Sequence, residues 1–189
     1  MKALCALCLA TDTETCRVFC VLAPTGSAAY LIKGRTIHSM FKFDTTLKKH
    51  IKYNSFEYVF IKYCDVFLIN EMSMIDNELF EAFELYLRRY SLYGGRAKPY
   101  GRKDVILFGN PAQLPSRLMP LFYGGLFPRF DIYTLKAIVR QEDPEFARIL
   151  QEVRVSNVTH KVIAYFEWLK VKEIDYKEVL DKSVNNVFA

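Results

Sequence analysis

The sequence is poor in the features that mark several whole classes of protein. Eight glycines and seven prolines in 189 residues exclude collagen-like and low-complexity chains. No apolar run approaches the ~20 residues that a membrane-spanning helix needs, so no membrane partner is expected. Neither sign of charge dominates: 26 basic and 21 acidic residues leave a net charge of +5. That excess is too small for a disordered polyelectrolyte, yet compatible with a polyanionic partner such as nucleic acid. There is no internal repeat and no Gly/Ser linker. The phosphate-binding pattern G-x-x-x-x-G-K-[ST] occurs nowhere in these residues.

Hydrophobic residues make up 51% and aromatics 15%, enough for one globular domain at this length, with two small ones as the alternative. Cys5, Cys8, Cys16 and Cys20 have the spacing C-x2-C-x7-C-x3-C, which zinc sites also use. Cys5 and Cys8 lie in an Ala/Leu-rich run that reads as a buried helix, and Cys20 lies in an apolar strand, so core positions are the favoured reading. With Cys64 the count is odd, which argues against a disulfide framework and for a reducing, intracellular compartment. The apolar stretch Ala3 to Ala10 is short for a signal peptide and reads as the tail of a helix, so the chain is expected to be a fragment.

Three continuous apolar runs set the architecture. Val18 to Leu22 precedes Ala23-Pro24-Thr25-Gly26, Val66 to Ile69 precedes Asn70-Glu71, and Val105 to Phe108 precedes Gly109-Asn110-Pro111. Continuity rather than alternation predicts strands buried on both faces. Helices are predicted between them, over Asn54 to Tyr63 and Asn77 to Tyr90, the latter with Leu79, Phe80, Phe83 and Leu87 on one stripe and Asn77 as candidate cap. The alternation implies an α/β fold with a parallel sheet, whose ligands bind beyond the carboxyl ends of the strands. All three polar signatures sit there. A further strand is expected over Asp131 to Leu135, then helices over Asp143 to Arg154 and Val158 to Lys172. One domain over residues 1–157 with a helical extension over 158–189 is the resulting division.

Each polar signature has a chemical and a plain reading. Ala23-Pro24-Thr25-Gly26 opens a helix whose free N–H groups attract phosphate, but a simple strand-to-helix turn has the same residues. Thr36, His38 and Ser39 supply donors for phosphate or sugar oxygens. Asn70-Glu71 at a strand end has the layout in which one carboxylate reaches Mg²⁺ and the next orients water, with a neutral Asn in the first place; a strand-end turn is the alternative. Gln113 follows the third run and is placed to position water or sense a γ-phosphate. Arg140 is either a charge clamp on a transferring phosphoryl group or a partner of Glu142 and Asp143. Between Arg88 and Lys103 lie six basic residues and no acidic one, interleaved with Tyr90, Tyr93 and Tyr100. That mixture suits phosphates and unstacked bases, and equally a solvated loop.

Taken in order, APTGSAA, GRTIHSMF, FLINEMSMI, GNPAQLP and VRQEDPEFARILQEVR resemble the PIF-type (petite integration frequency) DNA helicases, superfamily-one motors related to RecD, over residues 3 to 157. The resemblance implies a RecA-like, P-loop-NTPase-type sheet, here a partial first motor domain, that couples ATP hydrolysis to movement along single-stranded DNA. It implies DNA contacts at Pro24, Thr25, Gly26, Thr36, His38 and Ser39. Glu71, Gln113 and Arg140 would be catalytic, Asn70, Asn110 and Gln141 would contact the cofactor, and Asn70 and Glu71 would hold a weakened Mg²⁺. ATP and Mg²⁺ are the implied cofactors. Genome maintenance, meaning repair, recombination and telomeres, is the implied setting, in the nucleus if the source is eukaryotic.

The departures are specific. The family's Walker A loop is expected before Lys2, and a second RecA-like domain is absent from these residues. Asn70 and Asn110 stand where the family has Asp. Two function classes therefore compete: an ATP-dependent helicase domain with impaired activity in isolation, and a non-catalytic nucleic-acid-binding remnant. A nucleotide kinase fits the α/β pattern but not the T-I-H-S and Q-L-P segments.

Overall fold

The computed structural model describes residues 17–44, 46–47, 51–91, 97–135, 137, 139, 141 and 143–171. It divides into two compact units, residues 1–132 and 133–189. The limit expected at residue 157 falls inside the second unit, between its two helices.

The first unit is built on four parallel strands in the order β2-β1-β3-β4: β1 (Phe19–Ala23), β2 (Arg35–Thr36), β3 (Val66–Ile69) and β4 (Asp104–Leu107). Helix α1 (Gly26–Leu31) follows β1, and α2 (Ile37–Phe41) follows β2. Helix α3 (Phe56–Tyr63) leads into β3, and α4 (Asn77–Tyr90) lies between β3 and β4.

Every residue of β3 is buried, as its unbroken apolar run requires of a central strand. The first run meets the expectation only in part, since Phe19 and Val21 of β1 are half-buried and Val18 ahead of it is exposed, and the third run departs further. In β4, Asp104 and Ile106 are exposed and Val105 and Leu107 half-buried, so the expected double burial fails there. The reason is position: among the described residues β4 is an edge strand, paired only with β3. The strand expected over Asp131 to Leu135 does not form either. Those residues have no regular structure, and Ile132, Tyr133 and Leu135 are exposed. Without a neighbour to take its N–H and C=O groups, an extended segment gains nothing from pairing geometry.

The core is aromatic. On α4 the expected stripe is present, with Leu79, Phe80, Phe83 and Leu87 buried. Phe83 meets Phe41 at 5.2 Å, Phe67 at 5.6 Å and Phe80 at 5.8 Å between ring centroids. Each such ring removed from water contributes roughly 1.5–3 kcal/mol. The cap of α4 is Asp76, which accepts from Leu79 N–H at 2.8 Å, rather than Asn77. Asp and Asn are equally good caps, and here Asn77 instead donates to Glu81 at 2.8 Å from inside the first turn. Cys20 and Cys64 are free thiols buried in this core, and the neighbouring Cys64 thiol together with burial pushes the Cys20 thiol up. Cys5, Cys8 and Cys16 lie outside the described residues.

The second unit carries α5 (Pro144–Arg154) and α6 (His160–Val171). Asp143 caps α5 by accepting from Glu145 N–H at 2.9 Å and Phe146 N–H at 3.2 Å, with Pro144 in the first turn. Phe146 stacks on Tyr165 at 5.9 Å, and Tyr165 meets Trp168 at 5.8 Å.

Candidate functional site at the carboxyl edge of the sheet

Because all four strands run parallel, their carboxyl ends share one edge. Ala23 pairs with Thr36, Leu22 with Ile69, and Ile69 with Leu107. Asn70 N–H donates to the Leu22 carbonyl at 2.9 Å, and Phe108 N–H to the Ile69 carbonyl at 2.7 Å. The edge therefore collects Pro24, Thr25 and Gly26 after β1, Thr36 at the end of β2, Asn70 and Glu71 after β3, and Gly109 and Asn110 after β4.

The DNA-contact candidates sit on two short helix starts. Thr25 caps α1, accepting from Ala28 N–H at 3.3 Å, and Gly26 is exposed with open space around it. Small residues keep this turn close to the sheet, since Ala28 and Ala29 of α1 pack on Ala23. Thr36 caps α2 by accepting from Ser39 N–H at 3.1 Å, and Ser39 Oγ donates back to the Thr36 carbonyl at 3.1 Å. Thr36 thus keeps its hydroxyl proton for another acceptor, whereas the hydroxyl proton of Ser39 is engaged. His38 is exposed, with its ring 6.2 Å from Phe43 in an edge-on arrangement. Glu57 of α3 steadies this corner, pairing with Lys42 at 2.9 Å and Arg35 at 3.4 Å. Lys42, followed by the residue's own N–H and Arg35, holds the Glu57 carboxyl below its ordinary value.

The acidic segment has a different character. Glu71 is in the left-handed region at φ 59°, ψ 51°, which costs a side-chain-bearing residue about 1–2 kcal/mol. Among the described residues neither Glu71 nor Asn70 has a side-chain hydrogen bond. The next residues, Met72 and Ser73, hold the Gln113 loop at both ends: Met72 N–H donates to the Phe108 carbonyl and Ser116 N–H to the Ser73 carbonyl, each at 3.0 Å. Asn110 spends its side-chain oxygen on the loop itself, accepting from Ala112 N–H at 3.1 Å, and Gln113 is exposed.

The structure thus brings Glu71 and the Gln113 loop together beside the Pro24–Gly26 turn and Thr36. Arg140 lies outside the described residues, and Gln141 belongs to the second unit, half-buried ahead of α5. Two positioning residues went unread in the sequence. A Cβ on Gly109 would come within 2.8 Å of Met72 N, so only glycine lets the third loop pass this close to the Glu71 segment. Ser73 is buried at the same place, its hydroxyl unpartnered among the described residues. A glycine directly after an apolar run was the available signal for the first; nothing signalled the second.

A parallel sheet flanked by helices, with polar turns at the carboxyl edge, is shared by the RecA-like domains of nucleotide-driven motors and other doubly wound α/β folds. The sequence profile of the PIF1-like helicase family matches residues 7–121, and the chain belongs to that family. It is 29% identical over 176 residues to the ATP-dependent DNA helicase PIF1 of Emericella nidulans, covering 85% of this chain and 23% of that protein. It is 30% identical over 173 residues to the ATP-dependent DNA helicase PIF7 of Trypanosoma brucei brucei, covering 80% of this chain and 17% of that one. Among solved structures it is similar to Pif1 helicase from Bacteroides in complex with ADP-AlF3 and ssDNA, with a TM-score of 0.72 and 26% identity over 86% of this chain and 42% of that one. Pif1 helicase from Candida albicans gives a TM-score of 0.70 and 26% identity over 79% and 36%. The chain therefore spans a quarter or less of these curated relatives.

Proposed function

We propose that this chain forms part of the first motor domain of an ATP-dependent DNA helicase, with single-stranded DNA as its track. The observation that carries this reading is the convergence of the Pro24–Gly26 turn, Thr36, Glu71 and the Gln113 loop on one edge of the sheet. Two of the PIF1-like structures it resembles are described as bound to single-stranded DNA.

The residues present suit one side of an ATP site. Glu71 offers a carboxylate and Asn70 an amide oxygen, both without side-chain partners among the described residues, so Mg²⁺ would be held by one charge fewer than an acidic pair supplies. When bound, the metal neutralises charge on the β- and γ-phosphates. Glu71 and Gln113 orient the attacking water, and Arg140 carries the phosphate-sensing role. On the DNA side, the Thr36 hydroxyl proton, His38 and the N–H groups after Thr25 meet successive phosphates, which fixes position without reading sequence. The setting this implies is genome maintenance in an intracellular compartment.

The second reading is a nucleic-acid-binding chain without catalysis. It is favoured by Asn70 and Asn110 in the acidic positions and by the lack of G-x-x-x-x-G-K-[ST] within these residues. One lost electrostatic contact costs about 10²–10³-fold in rate.

Oligonucleotide titration and phosphate release separate the two. The 189-residue chain should bind single-stranded DNA weakly and with steep salt dependence, and turn over ATP near background. Asn70→Asp alone should restore little. Absence of binding at low salt would remove the DNA reading; robust DNA-stimulated turnover would remove the non-catalytic one.

A further inference from the structure

The opposite edge of the sheet, ahead of β3 and β4, carries a feature that the site above does not use. A cavity of about 280 Å³ opens there between segments 62–65 and 101–103. From Asp65 to Asn70 the chain takes five steps of ~3.3 Å, so the two edges are about 16 Å apart. We propose that this cavity is a second phosphate subsite, taking a phosphodiester of a nucleic-acid strand.

Charge is the first support. Lys62, Arg102 and Lys103 line the cavity against one carboxylate, Asp65. Asp65 already accepts from Val18 N–H at 2.7 Å. The Lys62 ammonium lies over the Tyr58 and Tyr63 rings at 5.9 and 5.5 Å, and among the described residues neither it nor Arg102 is paired with a carboxylate. Lys103 donates to the carbonyls of Lys62 at 3.1 Å and Cys64 at 2.6 Å. It thereby takes up the partial negative charge at the carboxyl end of α3 and keeps one proton for a ligand. Neutralising that helix end accounts for Lys103, and it leaves Lys62, which also rests on two tyrosine rings, and Arg102 without a carboxylate partner among the described residues.

Backbone conformation is the second and independent support. Tyr100, Gly101 and Arg102 are consecutively left-handed, at φ 51°, 63° and 63°. The surroundings enforce it: a Cβ on Gly101 would meet the Leu87 carbonyl at 2.5 Å, and Tyr100 N–H is held by the buried Glu84 carboxylate at 3.2 Å. Strain that the fold over-determines is characteristic of binding loops, and here it presents Arg102 at the cavity. Tyr63, exposed at the same cavity, adds a ring on which a base can stack. Cations beside an exposed aromatic ring fit a polynucleotide better than free phosphate.

The test is anisotropy titration of labelled oligothymidylate at pH 8 and several salt concentrations. The Lys62→Gln/Arg102→Gln double variant should bind more weakly and lose about 1.4 from the log–log salt slope, two phosphates at ~0.7 each. Arg102→Gly removes the same cation while easing the left-handed turn. It should melt no lower than the unaltered chain, yet lose about half that slope. His38→Ala, at the carboxyl edge, should weaken binding with the slope unchanged. A folded double variant with affinity and slope unaltered overturns the second subsite, whether or not His38→Ala weakens binding. A loss confined to the double variant supports it and counts against the carboxyl-edge reading. No DNA binding at low salt overturns both. In a calorimetric arm at constant ionic strength, inorganic phosphate should give no saturable heat at millimolar concentration; saturable binding that the double variant loses would assign the cavity to a free anion and overturn the nucleic-acid assignment.

Discussion

The two edges of the sheet spend their polar side chains differently. At the amino edge most charges are committed to the fold. Asp65 receives Val18 N–H, Arg17 pairs with Asp104, Glu84 receives Tyr100 N–H, and Lys103 bridges two carbonyls. At the carboxyl edge Asn70, Glu71 and Gln113 have no side-chain hydrogen bond among the described residues, and Glu71 is in a costly backbone conformation. Thr25, Thr36 and Asn110 do bond within their own turns, but Asn70, Glu71 and Gln113 are left for a ligand, and the left-handed run at Tyr100, Gly101 and Arg102 is the amino edge's corresponding cost. By that measure Lys62 and Arg102 belong with the carboxyl edge in kind, although they lie at the other end.

Substitutions can break this contrast. The largest effect should come from the core that both edges share: Phe83→Ala should cost about 3–5 kcal/mol and abolish both together in a single denaturant transition. Two separated transitions would mean that the edges are not one cooperative unit. Next, Lys103→Met should cost about 1–3 kcal/mol, because it takes the ammonium from two carbonyls. Glu71→Gly should go the other way. Relief of the left-handed strain, less the extra entropy of a glycine in the unfolded chain, should raise stability by up to about 1 kcal/mol. Were Glu71→Gly to destabilise as much as Lys103→Met, the two edges would not differ in the sense argued.

The sequence shows the carboxyl edge far better than the amino edge, for a physical reason. Parallel strands place their ends together, so three apolar runs each closed by polar residues locate Pro24, Asn70, Glu71 and Asn110 without knowledge of strand order. Burial of β3 and the stripe on α4 were legible for the same reason, periodicity being local. The half-exposed β4 was not, because a continuous apolar run looks alike in a central and an edge strand. Asp131 to Leu135 had strand chemistry without a partner, which composition cannot reveal. The amino-edge cavity joins segments about forty residues apart; the basic stretch up to Lys103 hinted at half of it, and Lys62 carried no signal.

The smallest effect concerns Tyr100, in the left-handed turn at the amino edge. Among the described residues its hydroxyl is buried without a partner, and burial, reinforced by Glu84, pushes its pKa up to about 12 from an ordinary 10.0. The folded chain therefore holds this proton more firmly than the unfolded chain does. That advantage is complete below pH 10 and is lost as pH rises from about 10 to about 12. Lys103 works in the opposite sense. Burial lowers its pKa below 10.5, so its deprotonation favours the fold as pH climbs towards that value. Comparing Tyr100→Phe with the unaltered chain holds the Lys103 contribution constant. Near neutral pH the variant should be more stable by up to about 1 kcal/mol, since an unpartnered hydroxyl no longer has to be desolvated. Between pH 10 and 12 its stability should fall less steeply than that of the unaltered chain, with Tyr86, whose hydroxyl burial also raises, supplying part of the remaining slope. Urea melts of both chains at pH 8 and pH 11 read both effects. Parallel pH dependences would show that the Tyr100 hydroxyl is hydrated in the folded state, and that the turn carrying Arg102 is looser than its packing implies.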